Sequence, residues 1–171
     1  MKLLTLMRHA KSSWGQPGLS DFDRTLNSRG AEQMSLWSKF WRKEKQKPDL
    51  ILCSSAARTR ETLERMEESL GDADVRYMRG LYNGLMEDYL DALWAAVDVR
   101  HIMVIGHNPT CDELARYLAK PSGQAFDKFM KHHFGTANAC RFEVDVDSWK
   151  NLGQASCTIA SFIRPKDLPL Q

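Results

Sequence analysis

A guanidinium and an imidazole stand side by side at Arg8 and His9, where the first apolar segment of the chain ends. That segment starts at Leu3 and is too short for a typical helix, so it predicts a buried β-strand. In an open α/β sheet, ligands bind in the crevice outside the carboxyl ends of the strands. We therefore expect Arg8 and His9 to face a ligand at this edge, unless they form an ordinary surface pair. Lys11 and Ser12, which follow directly, are further candidates for binding that ligand.

A second guanidinium, Arg58, follows another short apolar segment at residues 49–53. A helix starting near Ala56 is predicted by side chains at helical spacing, namely Thr59, Leu63, Met66 and Leu70. Arg58 would lie in the first turn of this helix, where the helix dipole disfavours a cation. A bound anion, held by Arg58 and the free amide groups, would reverse that preference. The alternative is a surface ion pair with Glu61 or Glu64.

A second imidazole, His107, follows the apolar residues 101–105 and a glycine at position 106. Asn108 as the N-cap and Pro109 at the first helical position predict a helix that begins directly afterwards. A side chain at such a strand-to-helix corner is presented at the carboxyl edge of the sheet, although a buried structural histidine has the same pattern.

Three predicted strand ends therefore supply Arg8, His9, Arg58 and His107. Guanidinium groups match the oxygens of a phosphoryl group, and imidazoles act as nucleophiles, proton carriers or hydrogen-bond donors. A neutral imidazole can attack phosphorus in line and become transiently phosphorylated. Nearby cations would keep it unprotonated and offset the charge of the transferring group. The pattern predicts a phosphoryl-binding pocket that needs no metal ion.

The elements that must position these residues alternate between short apolar segments and helices, an order that indicates an α/β fold with a mostly parallel sheet. The first long helix is predicted after a cap at Asn27 or Ser28, with a core-facing stripe of Met34, Trp37 and Trp41. Residues 139–146 and 156–163 predict an antiparallel pair of strands at one sheet edge. The length of 171 residues predicts one domain, residues 1–171, with a single core.

Composition excludes several classes of protein. The net charge is only +2 and the charges are mixed along the chain, so we expect no nucleic-acid partner. No apolar run approaches the roughly 20 residues of a membrane span, and we recognise no signal peptide, so we expect no membrane partner and a cytoplasmic location. The four cysteines are far apart, which predicts free, buried thiols rather than a zinc site.

Three motifs in this order resemble those of the histidine phosphatase superfamily: MRHA at residues 7–10, SSAARTRET at 54–62 and GHNP at 106–109. The short chain is most similar to the small SixA-type phosphohistidine phosphatases. The resemblance implies a phosphoglycerate mutase-like three-layer α/β/α sandwich with His9 as the phosphorylated nucleophile. It also implies that Arg8, Arg58 and His107 bind the phosphoryl group. Residues 23–30 also resemble the family's segment that enters the first long helix, but we assign Arg24 only an outer or structural role.

The chain departs from the superfamily pattern at three positions. Ala10 replaces a glycine and Ser55 a proline, which are small changes. Asn83 stands where mutases and many phosphatases of the superfamily carry the glutamate that protonates the leaving oxygen. The SixA-type members also lack this acid, which fits a nitrogen-linked substrate. Glu87 and Asp88, about one helical turn further on, are the alternative acids.

The leading hypothesis is a metal-independent, cofactor-free phosphatase that acts on phosphohistidine in a protein through a phosphohistidine intermediate on His9. A phosphatase of a small phosphorylated metabolite and a non-catalytic phosphate-binding module are the alternatives. A metal hydrolase built on His9 and His107 lacks the HxH or HExxH spacing of such sites. Whether the chain is a phosphohistidine phosphatase, a metabolite phosphatase or a phosphate-binding module, phosphate or another oxyanion should occupy the pocket. The loops at residues 14–24 and 82–87 would select the substrate.

Overall fold

The computed structural model describes residues 1–14, 16–97 and 99–170. Its strands are β1 (Lys2–Arg8), β2 (Leu50–Ser54), β3 (Asp74–Met78), β4 (His101–Gly106), β5 (Ala139–Val144) and β6 (Cys157–Ile163). Its α-helices are α1 (Ser28–Lys43), α2 (Ala57–Glu64), α3 (Glu67–Leu70), α4 (Met86–Trp94), α5 (Thr110–Leu118) and α6 (Gln124–Lys131). Short 3-10 helices cover Asp21–Asp23, Arg79–Leu81, Trp149–Asn151 and Pro165–Asp167.

The strands form one sheet in the order β3-β2-β4-β1-β5-β6. The first four strands in the chain are parallel, whereas β5 is antiparallel to β1 and β6 is antiparallel to β5. The predicted α/β class, with a mostly parallel sheet and an antiparallel edge, is confirmed.

Helices cover both faces of the sheet, which makes the predicted three-layer sandwich. Helices α1, α2 and α3 pack on one face around Trp37, Trp41 and Leu63. Helices α4, α5 and α6 pack on the other face, where Leu93 and Leu114 are fully buried. The alternation of side chains along each strand supplies both cores.

The start of α1 follows the local sequence signal. The side chain of Asn27 accepts a hydrogen bond from the Gly30 amide at 2.9 Å, as an N-cap does. The predicted stripe of Met34, Trp37 and Trp41 is completely buried. The Trp37 indole nitrogen also donates to the Ala137 carbonyl at 2.7 Å, so this face of α1 is tied to the segment before β5.

Two predicted helices differ from those observed. The helix predicted from Ala56 to Leu70 is interrupted between α2 and α3, where the Met66 amide bonds to the Leu63 carbonyl, three residues back. Helix α5 begins at Thr110 instead of Pro109. The Asn108 side chain does not cap it: its amide donates to the Phe134 carbonyl at 2.8 Å, and its Oδ1 accepts no hydrogen bond from a described residue.

Other predictions have mixed outcomes. All four cysteines are buried and free, as expected. The spacing of Met86, Leu90, Leu93 and Val97 predicts one apolar helix face, but Val97 lies beyond the end of α4 and is 67% exposed. In the described part of the chain, no helix is both long and apolar enough to cross a membrane. Gly15, part of the loop predicted at residues 14–24, lies outside the described residues.

Candidate active site

The order of the sheet places three strand ends side by side. Strands β2, β4 and β1 are parallel neighbours, with Cys53 paired to Ile105 and Arg8 paired to Gly106. Their carboxyl ends therefore meet at one edge, and the segments that carry the sequence motifs leave from there.

A cavity of about 220 Å³ lies at this edge. It brings together all six candidate residues, which are Arg8, His9, Lys11, Ser12, Arg58 and His107. The remaining lining residues are Trp14, Asp21, Arg24, Asn108 and Thr136. Larger surface grooves exist elsewhere, but this cavity is the place where two imidazoles and three guanidiniums converge.

His9 is buried in this cavity with a defined tautomer. Its Nδ1 lies 2.7 Å from the Ala10 carbonyl oxygen, and a carbonyl only accepts, so Nδ1 carries the hydrogen. The lone pair is therefore on Nε2, which accepts a hydrogen bond from Nε of Arg58 at 3.3 Å. Burial, assisted by the nearby charges of His107 and Arg58, lowers the pKa of His9 to about 3. His9 is thus a neutral imidazole at neutral pH, and burial contributes more to this state than the cations do.

The backbone around His9 is held by α1 and α2. The Thr62 hydroxyl accepts a hydrogen bond from the Ala10 amide at 3.0 Å and donates to the Arg58 carbonyl at 2.6 Å. Gly30, in the first turn of α1, lies so close to the Lys11 carbonyl that a Cβ atom there would collide with it. Both contacts fix the chain directly after His9.

The Arg58 side chain is buried and directed toward Asp21 as well as His9. It donates to the Asp21 carbonyl oxygen at 2.7 Å and to the Asp21 carboxylate at 3.2 Å. The anion that balances this first-turn cation is therefore Asp21, from a distant loop. The predicted alternative partner Glu61 instead pairs with Arg65 at 2.9 Å.

Asp21 is the carboxylate on the cavity wall, and it is held ionised. Burial by itself would raise its pKa, but hydrogen bonds from Tyr82 and Arg24 and the charge of Arg58 outweigh that effect and lower the pKa to about 2. The Tyr82 hydroxyl donates to Asp21 at 2.7 Å, and Arg24 forms an ion pair with it at 2.7 Å. A carboxylate in this state is a poor proton donor near neutral pH.

His107 lies next to His9, with the two ring centroids 5.3 Å apart. Its Nε2 shares a hydrogen bond with the Ser54 hydroxyl at 2.7 Å, and its backbone amide donates to the Tyr89 hydroxyl at 3.0 Å. Gly106 permits this approach, because a Cβ there would collide with the Tyr89 ring. Burial, with the charge of Arg58 second, lowers the pKa of His107 to about 3.

Two buried nitrogen atoms of the cavity residues lack hydrogen-bond partners among the described residues. They are Nδ1 of His107 and Nε of Arg8. Arg8 uses Nη1 to donate to the Phe134 carbonyl at 3.2 Å, which leaves the rest of its guanidinium free. Burial also lowers the pKa of Arg8. Because buried polar groups are nearly always paired, these two nitrogens are available to bond a ligand or water in the cavity.

Lys11 and Ser12 differ in their surroundings. The Lys11 side chain is exposed at the cavity rim, whereas Ser12 is buried and its hydroxyl accepts a hydrogen bond from Arg24. Arg24 also donates to the Ser13 carbonyl at 2.9 Å. Arg24 therefore supports the cavity wall, in addition to its ion pair with Asp21.

The alternative acids do not line the cavity. Asn83 is exposed, with a positive φ of 54°, and Glu87 is exposed in the first turn of α4. The Asp88 carboxylate accepts a hydrogen bond from the Leu85 amide at 2.7 Å, so it caps that helix. Within the three described stretches, no cluster of three or more His, Cys, Asp or Glu side chains is arranged to hold a metal ion.

Several positioning residues were missed by the sequence argument. Ser54 and Thr62 lie inside the second motif but were assigned no role, and Asp21 lies in the loop at residues 14–24, which was considered only for substrate selection. Tyr89 lies on the buried face of α4, and nothing in its spacing distinguishes it from ordinary core residues.

The three-layer sandwich and its histidine- and arginine-lined cavity define an α/β enzyme of the phosphoglycerate mutase-like type. The sequence matches the histidine phosphatase superfamily, branch 1, over residues 4–90, and the chain belongs to that superfamily. An uncharacterised protein of Mycobacterium tuberculosis is 36% identical over 163 residues, which cover 94% of this chain and 100% of the relative. These relationships identify the chain as a phosphatase.

Two solved structures are similar over nearly the full length. A candidate phosphohistidine phosphatase SixA from Agrobacterium tumefaciens has a TM-score of 0.81 and 27% identity, covering 96% of this chain and 98% of that one. Its counterpart from Nakamurella multipartitia has a TM-score of 0.82 and 29% identity, with 96% of each chain covered. The chain is therefore of the SixA type within the superfamily.

Proposed function

We propose that this phosphatase removes the phosphoryl group from phosphohistidine in a protein, without a metal ion, through a phosphohistidine intermediate on His9. The observation that carries the proposal is the pairing of a neutral, buried nucleophile with a cavity whose described lining residues offer no protonated carboxyl group. The similarity to SixA-type structures supports the same substrate class.

The first step is an in-line displacement at phosphorus. The Nε2 lone pair of His9 forms a bond to phosphorus while the bond from phosphorus to the substrate nitrogen breaks. The leaving ring takes that electron pair and departs as neutral imidazole, because its other nitrogen already carries a proton. In the second step, water attacks the phosphorus of phosphorylated His9. The bond to Nε2 breaks, inorganic phosphate forms, and the water proton passes to phosphate or solvent.

The cations and the second imidazole stabilise the charge on the phosphoryl oxygens. Arg8 and Arg58 supply guanidinium donors, and the unpaired Nδ1 of His107 becomes a donor when Ser54 donates to Nε2 of the same ring. Lys11 and Ser12 remain candidate substrate-binding residues at the rim. When the phosphoryl group binds, Arg58 would share its donors between Asp21 and the substrate.

The lack of an available acid among the described lining residues determines the class of leaving group. An alkoxide is strongly basic and needs a proton as it departs, whereas imidazole is a far weaker base. Among the cavity residues, the carboxyl group present belongs to Asp21, and it is ionised. Phosphoramidates and activated aryl phosphates should therefore react faster than alkyl phosphomonoesters such as sugar phosphates.

The test compares kcat/KM on a phosphohistidine protein, p-nitrophenyl phosphate and a sugar phosphate, with a chelator present. A phosphohistidine preference and an acid-labile phosphoenzyme in the wild type, both lost in His9→Ala, are expected. His133→Ala, which removes an exposed histidine outside the cavity, is the matched control. A sugar phosphate turned over fastest would indicate a metabolite phosphatase, and anion binding without turnover would indicate a non-catalytic module.

We also propose that residues 1–171 act as a single catalytic domain, and that the protein works in a reducing compartment such as the cytoplasm. Two extensive buried clusters share one sheet, and all four cysteines are free thiols, both of which support this proposal.

A further inference from the structure

The catalytic cavity has an exposed aromatic residue on its wall. Trp14 lines the same cavity as His9, yet its side chain is 76% exposed. The next most exposed aromatic residue of the described chain, Tyr77, is only 44% exposed and lies on β3, away from the cavity lining. A large apolar ring left in water beside a binding site is a surface on which a ligand can bury apolar area.

The Trp14 ring is backed by a fixed cation. The Arg24 guanidinium carbon lies 3.4 Å from the centroid of the indole ring, within stacking distance. Arg24 is itself held by the Ser13 carbonyl, the Ser12 hydroxyl and the Asp21 carboxylate, and its side chain is only 12% exposed. These contacts place the indole on a rigid support, although the rest of its surface is open to solvent.

We propose that Trp14 determines specificity for the leaving group by stacking on a planar aromatic ring while the phosphoryl group reaches His9. This inference rests on the proposed function, and it defines the favoured substrates as phosphorylated aromatic heterocycles and aryl phosphates. The imidazole of a phosphohistidine belongs to this class. Offset stacking between aromatic rings is favourable beyond the area that it buries, and it tolerates different ring chemistries.

The role is one of binding and not of chemistry. Trp14 carries no group that titrates near neutral pH, and its indole nitrogen is only a donor. Removing the ring should therefore raise KM for substrates that have an aromatic leaving group, and change kcat less. Substrates without a ring lack this contact and provide an internal reference for the same variant.

The experiment measures kcat/KM for two aromatic substrates, N-phosphoimidazole and p-nitrophenyl phosphate, and for two without a ring, phosphoramidate and acetyl phosphate. In Trp14→Ala, the ratio of aromatic to non-aromatic kcat/KM should fall by roughly two- to tenfold, mainly through KM. Trp14→Phe should keep most of the ratio. Val97→Ala, which removes an exposed apolar side chain outside both substrate-selecting loops and outside the cavity lining, should keep all of it.

The outcomes separate this inference from the proposed function. An equal loss on all four substrates, or no loss on any, would overturn the stacking role of Trp14. Phosphoenzyme formation on His9 from phosphoramidate would show in both cases that the proposed chemistry stands. If the wild type neither hydrolyses phosphoramidate nor becomes phosphorylated, the proposed function fails, whatever Trp14 does.

Discussion

The protonation state of His9 offers a quantitative test of the site. Burial and the neighbouring charges lower the pKa of His9 from 6.5 to about 3. At pH 5, an imidazole with an ordinary pKa would be only about 3% neutral, whereas His9 should be about 99% neutral. The fraction of active nucleophile at pH 5 therefore differs by about 30-fold between the two cases.

The direct assay is long-range proton–nitrogen NMR of protein labelled with ¹⁵N in histidine, with the His9 signals assigned from a His9→Gln spectrum. Between pH 7.5 and 5, we expect Nδ1 of His9 to remain protonated and Nε2 to remain unprotonated. The kcat/KM for an aryl phosphate, corrected for the titration of the substrate itself, should change less than about threefold over this range.

The same shift predicts a dependence of stability on pH. Because the folded pKa of His9 lies below its unfolded value, the unfolded state binds more protons below pH 6.5, and stability falls as the pH falls toward about 3. Between pH 7 and 5, His9 should contribute a loss of about 2 kcal/mol in the free energy of unfolding. His9→Gln should lack this part of the loss.

A titration of His9 near pH 6.5, or a 30-fold fall in corrected kcat/KM between pH 7.5 and 5, would refute the argument that burial keeps this nucleophile neutral. In urea unfolding, an equal loss of unfolding free energy between pH 7 and 5 for the wild type and His9→Gln would independently refute the argument that His9 is neutral.

Three further predictions concern the anion site and the proton donor. Arg58→Ala should keep weak activity, with kcat/KM lowered about 30- to 1,000-fold through the loss of about 2–4 kcal/mol of transition-state stabilisation; a near wild-type rate on phosphoramidate would contradict this. Millimolar phosphate should inhibit turnover and raise the Tm in the presence of a chelator, and the absence of both effects would mean that the pocket does not bind anions. Glu87→Gln and Asp88→Asn should change kcat/KM for phosphohistidine less than about threefold, because neither side chain lines the cavity. Asp88→Asn should also lower the stability of the protein, because the Asp88 carboxylate caps α4. A collapse in the rate of either variant would identify a carboxylic acid as the proton donor.

The elements of the fold were predictable because their signals are local. Runs of apolar residues marked the buried strands, and the cap at Asn27 with the stripe of Met34, Trp37 and Trp41 marked α1. These features depend on neighbours within a few residues, so composition and spacing reveal them. The alternation of strands and helices then indicated a parallel sheet, and that sheet brings the three motif segments to one edge.

The types of chemical group in the cavity were also predictable, since Arg8, His9, Arg58 and His107 lie at or shortly after the ends of apolar segments. Less predictable were the element ends. The break after α2 and the exposure of Val97 depend on how the helices pack. The helical spacing of apolar side chains continues through both positions, so the spacing alone predicts longer helices than the structure contains.

Only the tertiary structure decided how these groups are tuned. The balance of the Arg58 charge by Asp21 joins residues 37 positions apart, and the link from Tyr89 to His107 crosses between α4 and the end of β4. The low pKa of His9 comes mainly from burial. Burial depends on every segment packed around the imidazole, and no motif within the sequence records it, because desolvation is a property of the assembled cavity.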